Sequence, residues 1–247
     1  MSESARMWME ISFNVAYLIV IWIMVAVMIA QRDRVAPADW PVAKRFIWAF
    51  ALLALGDTGH VGFRVWAYAL GGLEAAPVIL GVPVSLVGFG ALATAITVTL
   101  FYVLLLDAWR VRFGRRYGWF EWVLLASVPV RFALMALPQN EWSSAVPVQP
   151  WSTLRNLPLM LLGLGTAGLI LRDAARAHDR TFRWIGIMIL VSYACYMPVV
   201  FFVQQNPLLG MLMIPKTMAY LAVAFVAYFG LWRRPAHVDT GRPALAQ

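Results

Sequence analysis

Seven long apolar runs, each close to the length of a membrane-crossing helix, constrain the fold of this chain more than any other feature. A helix needs about 20 apolar residues to cross the hydrocarbon core of a bilayer. The runs cover residues 8–30, 46–70, 86–106, 122–137, 157–171, 182–203 and 208–232, and the fourth and fifth are short enough to need extension into their flanks. The predicted fold is an all-α, polytopic bundle of seven transmembrane helices. It forms one domain, residues 1–234, followed by a short polar cytoplasmic tail, residues 235–247.

The composition agrees with a membrane protein and excludes several other classes. Hydrophobic residues make up 62% of the chain and charged residues only 13%, about half the share usual in soluble domains. A single cysteine excludes an intrachain disulfide and a cysteine-rich metal site. Three histidines are too few for a many-histidine metal centre. We therefore expect no metal and no cofactor.

The basic residues alternate from one connection to the next. The first, third and fifth connections and the tail hold fifteen of the twenty: Arg32, Arg34, Lys44, Arg45, Arg110, Arg112, Arg115, Arg116, Arg172, Arg176, Arg180, Arg183, Arg233, Arg234 and Arg242. Residues 71–85, 138–152 and 204–207 hold none. By the positive-inside rule the N-terminus lies outside and the C-terminus in the cytoplasm. The net charge of +8 then indicates topology and contact with membrane lipids, and no nucleic-acid partner is expected.

Four other basic residues fall within or at the ends of the predicted spans: Arg64, Arg131, Arg155 and Lys216. A charge at membrane depth costs at least about 2.5 kcal/mol, so such residues normally face the bundle interior and a partner. With the predicted orientation, all four lie in the outer half, and Asn156 lies beside Arg155. The pattern predicts an outward-facing polar pocket with net positive charge.

The second span carries the sharpest motif, Gly56-Asp57-Thr58-Gly59-His60 followed by Arg64. Its two glycines are expected to let a neighbouring helix approach closely. Positions 57, 60 and 64 lie on one helical stripe, so Asp57 could orient His60 and pair with Arg64 or Lys216. One interpretation is a buried ion pair that only fixes helix packing. The other is a role in ligand binding or proton handling.

Other spans add polar side chains at similar depth. They are Thr97, Tyr102, Tyr193 and Tyr220, and Lys216 follows Pro215, which favours a local kink. Each has a structural alternative: a transmembrane threonine usually bonds its own backbone, and Lys216 could extend toward the membrane surface.

Three stretches together resemble a family of uncharacterised bacterial multi-spanning membrane proteins. They are Gly56-Asp57-x-x-His60 with Arg64, the run from Ala95 to Leu104 ending in Trp109-Arg110, and Gly210-Met211-Leu212-Met213-Ile214-Pro215-Lys216-Thr217. The resemblance implies a multi-pass protein of the bacterial inner membrane and carries no activity with it. Seven spans with a lysine in the last one also resemble microbial rhodopsins, in which that lysine carries retinal. Those proteins usually have an acidic residue four positions before the lysine, and this chain has Leu212 at that position.

Two functions from different classes remain open. In the first, the pocket binds an anionic or amphiphilic small molecule, as a carrier or a sensor, and the basic residues hold its carboxylate or phosphate. In the second, the protein is an intramembrane enzyme on a lipid or isoprenoid, with Asp57 and His60 as the acid–base pair. A Schiff base with retinal at Lys216 is a more remote alternative.

Overall fold

The computed structural model describes residues 3–79, 81–142 and 148–232, and within this part the chain is a bundle of seven long helices. The helices are α1 (Glu3–Ala30), α2 (Trp40–Ala69), α3 (Leu86–Arg112), α4 (Trp119–Ala136), α5 (Trp151–Arg176), α6 (Arg180–Phe202) and α7 (Met213–Leu231). All seven are long and apolar enough to cross a membrane, so the predicted all-α membrane bundle is confirmed. The predicted tail, residues 235–247, lies outside the described residues.

The short elements lie in the connections. Strands β1 (Val78–Ile79) and β2 (Val82–Pro83) form an antiparallel hairpin between α2 and α3. Short 3-10 turns follow α1 and α4, and a longer one, Pro207–Leu212, precedes α7. The helices differ from the predicted spans mainly at their ends, since α5 begins at Trp151 and α7 only at Met213.

Side chains at the helix starts explain several of these boundaries. The Ser85 hydroxyl accepts a hydrogen bond from the Gly88 backbone N–H, and the Asp179 carboxylate accepts one from Phe182. Glu121 binds back to the backbone N–H of Gly118 at 2.8 Å. Each contact satisfies a backbone N–H at the start of a helix, where the first turn would otherwise fray.

The bundle has two distinct ends. At one, Arg112 of α3 binds both Asp39 and Asp179, which brings together the connections before α2 and before α6. We call this the basic end. At the other, Gln149 donates a hydrogen bond to the Val200 carbonyl at 3.2 Å, which brings the connection before α5 to the last turn of α6. We call this the far end.

Close helix packing holds α2 against α3 in the half nearer the far end. A methyl group on Gly56 would lie 1.8 Å from the Thr97 hydroxyl, and one on Gly90 would lie 3.0 Å from the His60 Cα. Only glycine allows this approach, as the sequence predicted for Gly56. Helix α7 completes the bundle by contacting α6, α1 and α2.

An aromatic column fills the bundle interior from the basic end to its middle. Its members are Phe182, Phe46, Phe50, Phe101 and Tyr102, each at most 1% exposed. Phe46 meets Phe182 with ring centroids 5.9 Å apart, and Phe50 meets Phe101 at 5.5 Å. The half nearer the basic end is therefore a close-packed apolar core. The polar side chains of the interior begin where this column ends.

Candidate functional site

A group of polar and charged side chains occupies the half of the bundle nearer the far end. We call it the polar cluster, and it consists of Asp57, His60, Arg131, Arg155, Asn156, Tyr196, Lys216 and Tyr220. It draws on α2, α4, α5, α6 and α7. Five separate helices thus bring together most of the residues that the sequence singled out.

Lys216 points into the bundle. Its Nζ lies 4.7 Å from the centroid of the Tyr196 ring and 5.4 Å from that of Tyr220. It also interacts electrostatically with the Asp57 carboxylate. The two ring contacts hold the Lys216 amine inside the bundle, so the side chain does not extend toward the membrane surface.

Asp57 is held by hydroxyl groups. Tyr17 of α1 donates to its Oδ2 at 3.0 Å, and Thr94 of α3 donates to its Oδ1 at 2.8 Å. The expectation that Asp57 would orient His60 is therefore wrong, because the two carboxylate oxygens bind other helices. The buried Nδ1 of His60 has no hydrogen-bond partner in the described part of the chain. Arg64, further along α2, is partly buried and interacts electrostatically with His60.

Arg131 is the most deeply buried charge of the cluster. Its side chain lies in α4 and is 2% exposed, yet neither its Nε nor its Nη1 has a hydrogen-bond acceptor among residues 3–79, 81–142 and 148–232. It interacts electrostatically with Tyr196, Tyr193 and Tyr220. A guanidinium cannot shed its charge, so this charge is buried with no carboxylate partner among the described residues.

Arg155 and Asn156 lie at the start of α5. Arg155 donates from Nη1 to the Asn140 Oδ1 at 3.0 Å, and its guanidinium lies 4.1 Å from the centroid of the Trp142 ring. Asn156 accepts a hydrogen bond from the Tyr196 hydroxyl at 3.0 Å. All these partners are neutral, so the positive charge of Arg155 is solvated by dipoles and not by a carboxylate.

Three other predicted site residues hold helices together. The Tyr102 and Tyr220 hydroxyls share a hydrogen bond of 2.9 Å between α3 and α7. Tyr193 donates to the Leu159 carbonyl at 2.8 Å, while its ring covers Gly163. Thr97 donates to its own helix, at Thr94, and packs on Gly56. Tyr193 and Thr97 thus serve helix packing. Thr97 bonds its own backbone, as the structural alternative for this residue predicted.

The sequence reasoning missed Tyr17 and Trp142 as neighbours of the cluster. Tyr17 is a polar aromatic in the middle of an apolar run, which was a usable signal. Trp142 follows α4 in a connection whose path no periodicity predicts.

The basic end contrasts with the polar cluster, because its aspartates are paired with arginines. Asp173 is 2% exposed and accepts hydrogen bonds from Arg115, Arg172 and the Trp109 indole, each at about 3.1 Å. Nearby, burial and the Asp107 carboxylate raise the pKa of Tyr117, so its hydroxyl stays protonated and donates to Asp107 at 3.0 Å.

A separate apolar groove of about 390 Å³ lies between α6 and α7. Its lining includes Met188, Val191, Pro215 and Met218, and none of the charged side chains of the cluster. Within the described ranges, no three His, Cys, Asp or Glu side chains are placed to hold a metal ion.

No protein-family model, curated protein or solved structure matches this chain. The function is therefore inferred from the geometry of the polar cluster.

Proposed function

We propose that this protein binds an anionic or amphiphilic small molecule in the polar cluster, as the first step of its transport or its sensing. Arg131 carries the proposal, because a buried guanidinium with two N–H groups lacking acceptors is the binding half of an anion site. Arg155 and Lys216 lie close enough to act on Arg131 electrostatically and so add to the same positive potential.

The energetics favour a bound anion over an empty cluster. A charge without a partner in a low-dielectric interior costs on the order of several kcal/mol. A bound anion of complementary geometry offsets that cost. A protein that only needed rigid packing would gain more from an apolar residue at position 131.

Location and orientation belong to the same proposal. The seven helices indicate a multi-pass membrane protein, and the resemblance on α2, α3 and α7 supports the bacterial inner membrane. The arginine-rich connections support a cytoplasmic basic end. The far end would then face outward, and the molecule would enter from that side.

The test measures binding of decyl phosphate and decanoate to the purified protein in a neutral detergent, by the shift in its thermal midpoint and by calorimetry. We expect at least one of these anions to raise the midpoint. Arg131→Gln should weaken that binding at least tenfold, because it removes the positive charge and the forked N–H donors of the guanidinium. The matched control is Arg34→Gln, which removes the same charge from an exposed position at the basic end. No shift with either anion, or equal affinity in Arg131→Gln, would contradict the proposal.

The enzyme alternative has less support, because Asp57 is bound by Tyr17 and Thr94 and not by His60. It predicts turnover that Asp57→Asn or His60→Ala abolishes while ligand binding persists. The retinal alternative gains one observation, the Asp57 carboxylate near the Lys216 amine. It requires a visible absorption band after addition of retinal, and absence of that band removes it.

A further inference from the structure

Charge balance within the polar cluster restricts the class of molecule that fits it, provided that the proposed anion binding holds. The cluster contains three basic side chains, Arg131, Arg155 and Lys216, and one acidic side chain, Asp57. Buried charges are tolerated when they sum to zero with their partners. The question is which of the three remain unbalanced.

Lys216 and Asp57 balance each other. The two interact electrostatically across α2 and α7. With the amine protonated and the carboxyl group ionised, or with both neutral, the pair sums to zero charge. Tyr17 and Thr94 each donate a hydrogen bond to one oxygen of the Asp57 carboxylate, so Asp57 is poorly placed to pair with a further cation.

Arg131 and Arg155 remain unbalanced. Arginine stays protonated in proteins. Neither guanidinium has a carboxylate partner within the described ranges, and the side chains are 2% and 8% exposed. Both interact electrostatically with Tyr196, and Arg155 also with Arg131. The Tyr196 hydroxyl donates to Asn156, the residue next to Arg155, at 3.0 Å. The two positive charges therefore act on the same side chain.

We infer that the occupant of the polar cluster presents a phosphate monoester, a headgroup with two negative charges on one phosphorus. A monoanion such as a carboxylate or a sulfate ester would leave one arginine unbalanced. The three terminal oxygens of a phosphate monoester can accept from the free N–H groups of Arg131, from Arg155 and from a hydroxyl at the same time. The same headgroup occurs on a water-soluble ester and on a phosphorylated lipid or isoprenoid.

The test compares decyl phosphate with decyl sulfate, which have the same chain and a similar tetrahedral headgroup but differ by one charge. At pH 8 the phosphate monoester is a dianion, since its second pKa is about 6. We expect decyl phosphate to bind wild-type protein at least tenfold more tightly than decyl sulfate. Methyl phosphate distinguishes the two sources: affinity equal to that of decyl phosphate indicates a soluble ester, and much weaker binding indicates a lipid.

Variants of Arg155 test the charge count directly. Arg155→Gln removes one of the two unbalanced charges, so decyl sulfate and decyl phosphate should bind with similar affinity. Arg155→Lys keeps the charge and should keep the preference, as should the surface control Arg34→Gln. This set separates a change of charge from a general disturbance of the fold.

The outcomes distinguish the two proposals. If decyl sulfate binds wild-type protein as tightly as decyl phosphate, or if Arg155→Gln retains the full preference, the monoester assignment is overturned while anion binding stands. If succinate binds as tightly as methyl phosphate, the headgroup is a dicarboxylate and the assignment is again overturned. If none of the probes binds, the proposed function itself fails.

Discussion

At the basic end the Arg115 guanidinium meets the buried Asp173 carboxylate at 3.1 Å, whereas in the other half of the bundle Arg131 meets no acceptor among the described residues. Both arginines belong to a bundle of the same seven helices. The aspartates at the basic end are paired with arginines from neighbouring elements, which is typical of contacts that maintain the fold. Arg131 and Arg155, nearer the far end, have no carboxylate partner among the described residues. The comparison teaches that the two halves treat arginine differently: one pairs it with carboxylates, and the other buries it, within the described ranges, without one.

The largest expected effect lies at the basic end. Asp173→Asn leaves Arg115 and Arg172 without their carboxylate, and we expect it to destabilise the protein by about 3 kcal/mol, the low end for breaking a buried pair because both arginines are partly exposed. Thermal or denaturant unfolding in detergent measures this. The matched control is Asp33→Asn, an exposed residue with a loose contact of 3.8 Å to Arg32, which should change stability by less than about 0.5 kcal/mol. Equal effects of the two changes would show that burial of the Asp173 pairs adds nothing to stability.

The next effect tests whether close packing stabilises the half that holds the polar cluster. Gly56→Ala places a methyl group on the Thr97 hydroxyl and should cost about 2 kcal/mol by forcing α2 from α3. In the same helix, Gly62→Ala meets nothing within 4 Å and should gain up to about 1 kcal/mol from helix propensity. A Gly56→Ala protein as stable as the wild type would show that the α2–α3 contact is loose.

The third prediction is a gain in stability on removing a charge, opposite to the loss expected at the basic end. Arg131→Met removes a buried charge with no partner, so the ligand-free protein should become more stable by about 1–2 kcal/mol. The same variant should lose anion binding. Unfolding of the ligand-free protein and calorimetry with decyl phosphate measure the two effects. A loss of stability comparable to that of Asp173→Asn would mean that Arg131 serves the fold.

The smallest effect concerns the Asp57 carboxylate. Tyr17→Phe deletes one hydrogen bond to it, 3.0 Å long, and should cost about 1–2 kcal/mol. The measurement is a double-mutant cycle with Asp57→Asn, in which the coupling energy should be positive. Additive effects of the two changes would show that Tyr17 acts on stability by packing alone.

The sequence alone predicted the fold because its main determinant is local. Each apolar run of sufficient length forms a helix by itself, and Gly56 indicated a close helix contact without knowledge of the partner. The helix ends were less predictable, since polar residues at the start of α5, such as Ser152 and Arg155, lie within the helix and not in a loop.

The site was predictable in its residue types and depth but not in its pairing. Helical spacing placed Asp57 and His60 on one face, yet the carboxylate binds Tyr17 and Thr94 from other helices. Such contacts depend on the rotation of each helix in the bundle, which a weakly amphipathic apolar run does not determine. The same limit explains why Tyr193 was expected in the site and instead bonds the Leu159 carbonyl.

The aromatic column also has an electrical consequence. Phe46, Phe50 and Phe101 fill the half nearer the basic end with low-dielectric material, while Asp57, His60 and Lys216 are only partly buried. A membrane voltage falls mainly across low-dielectric material, and a charge crossing the whole field changes energy by about 2.3 kcal/mol per 100 mV. Under the proposed function, an anion enters the polar cluster from the far end and does not cross the aromatic column. Its binding is therefore independent of the part of the membrane voltage that falls across the column.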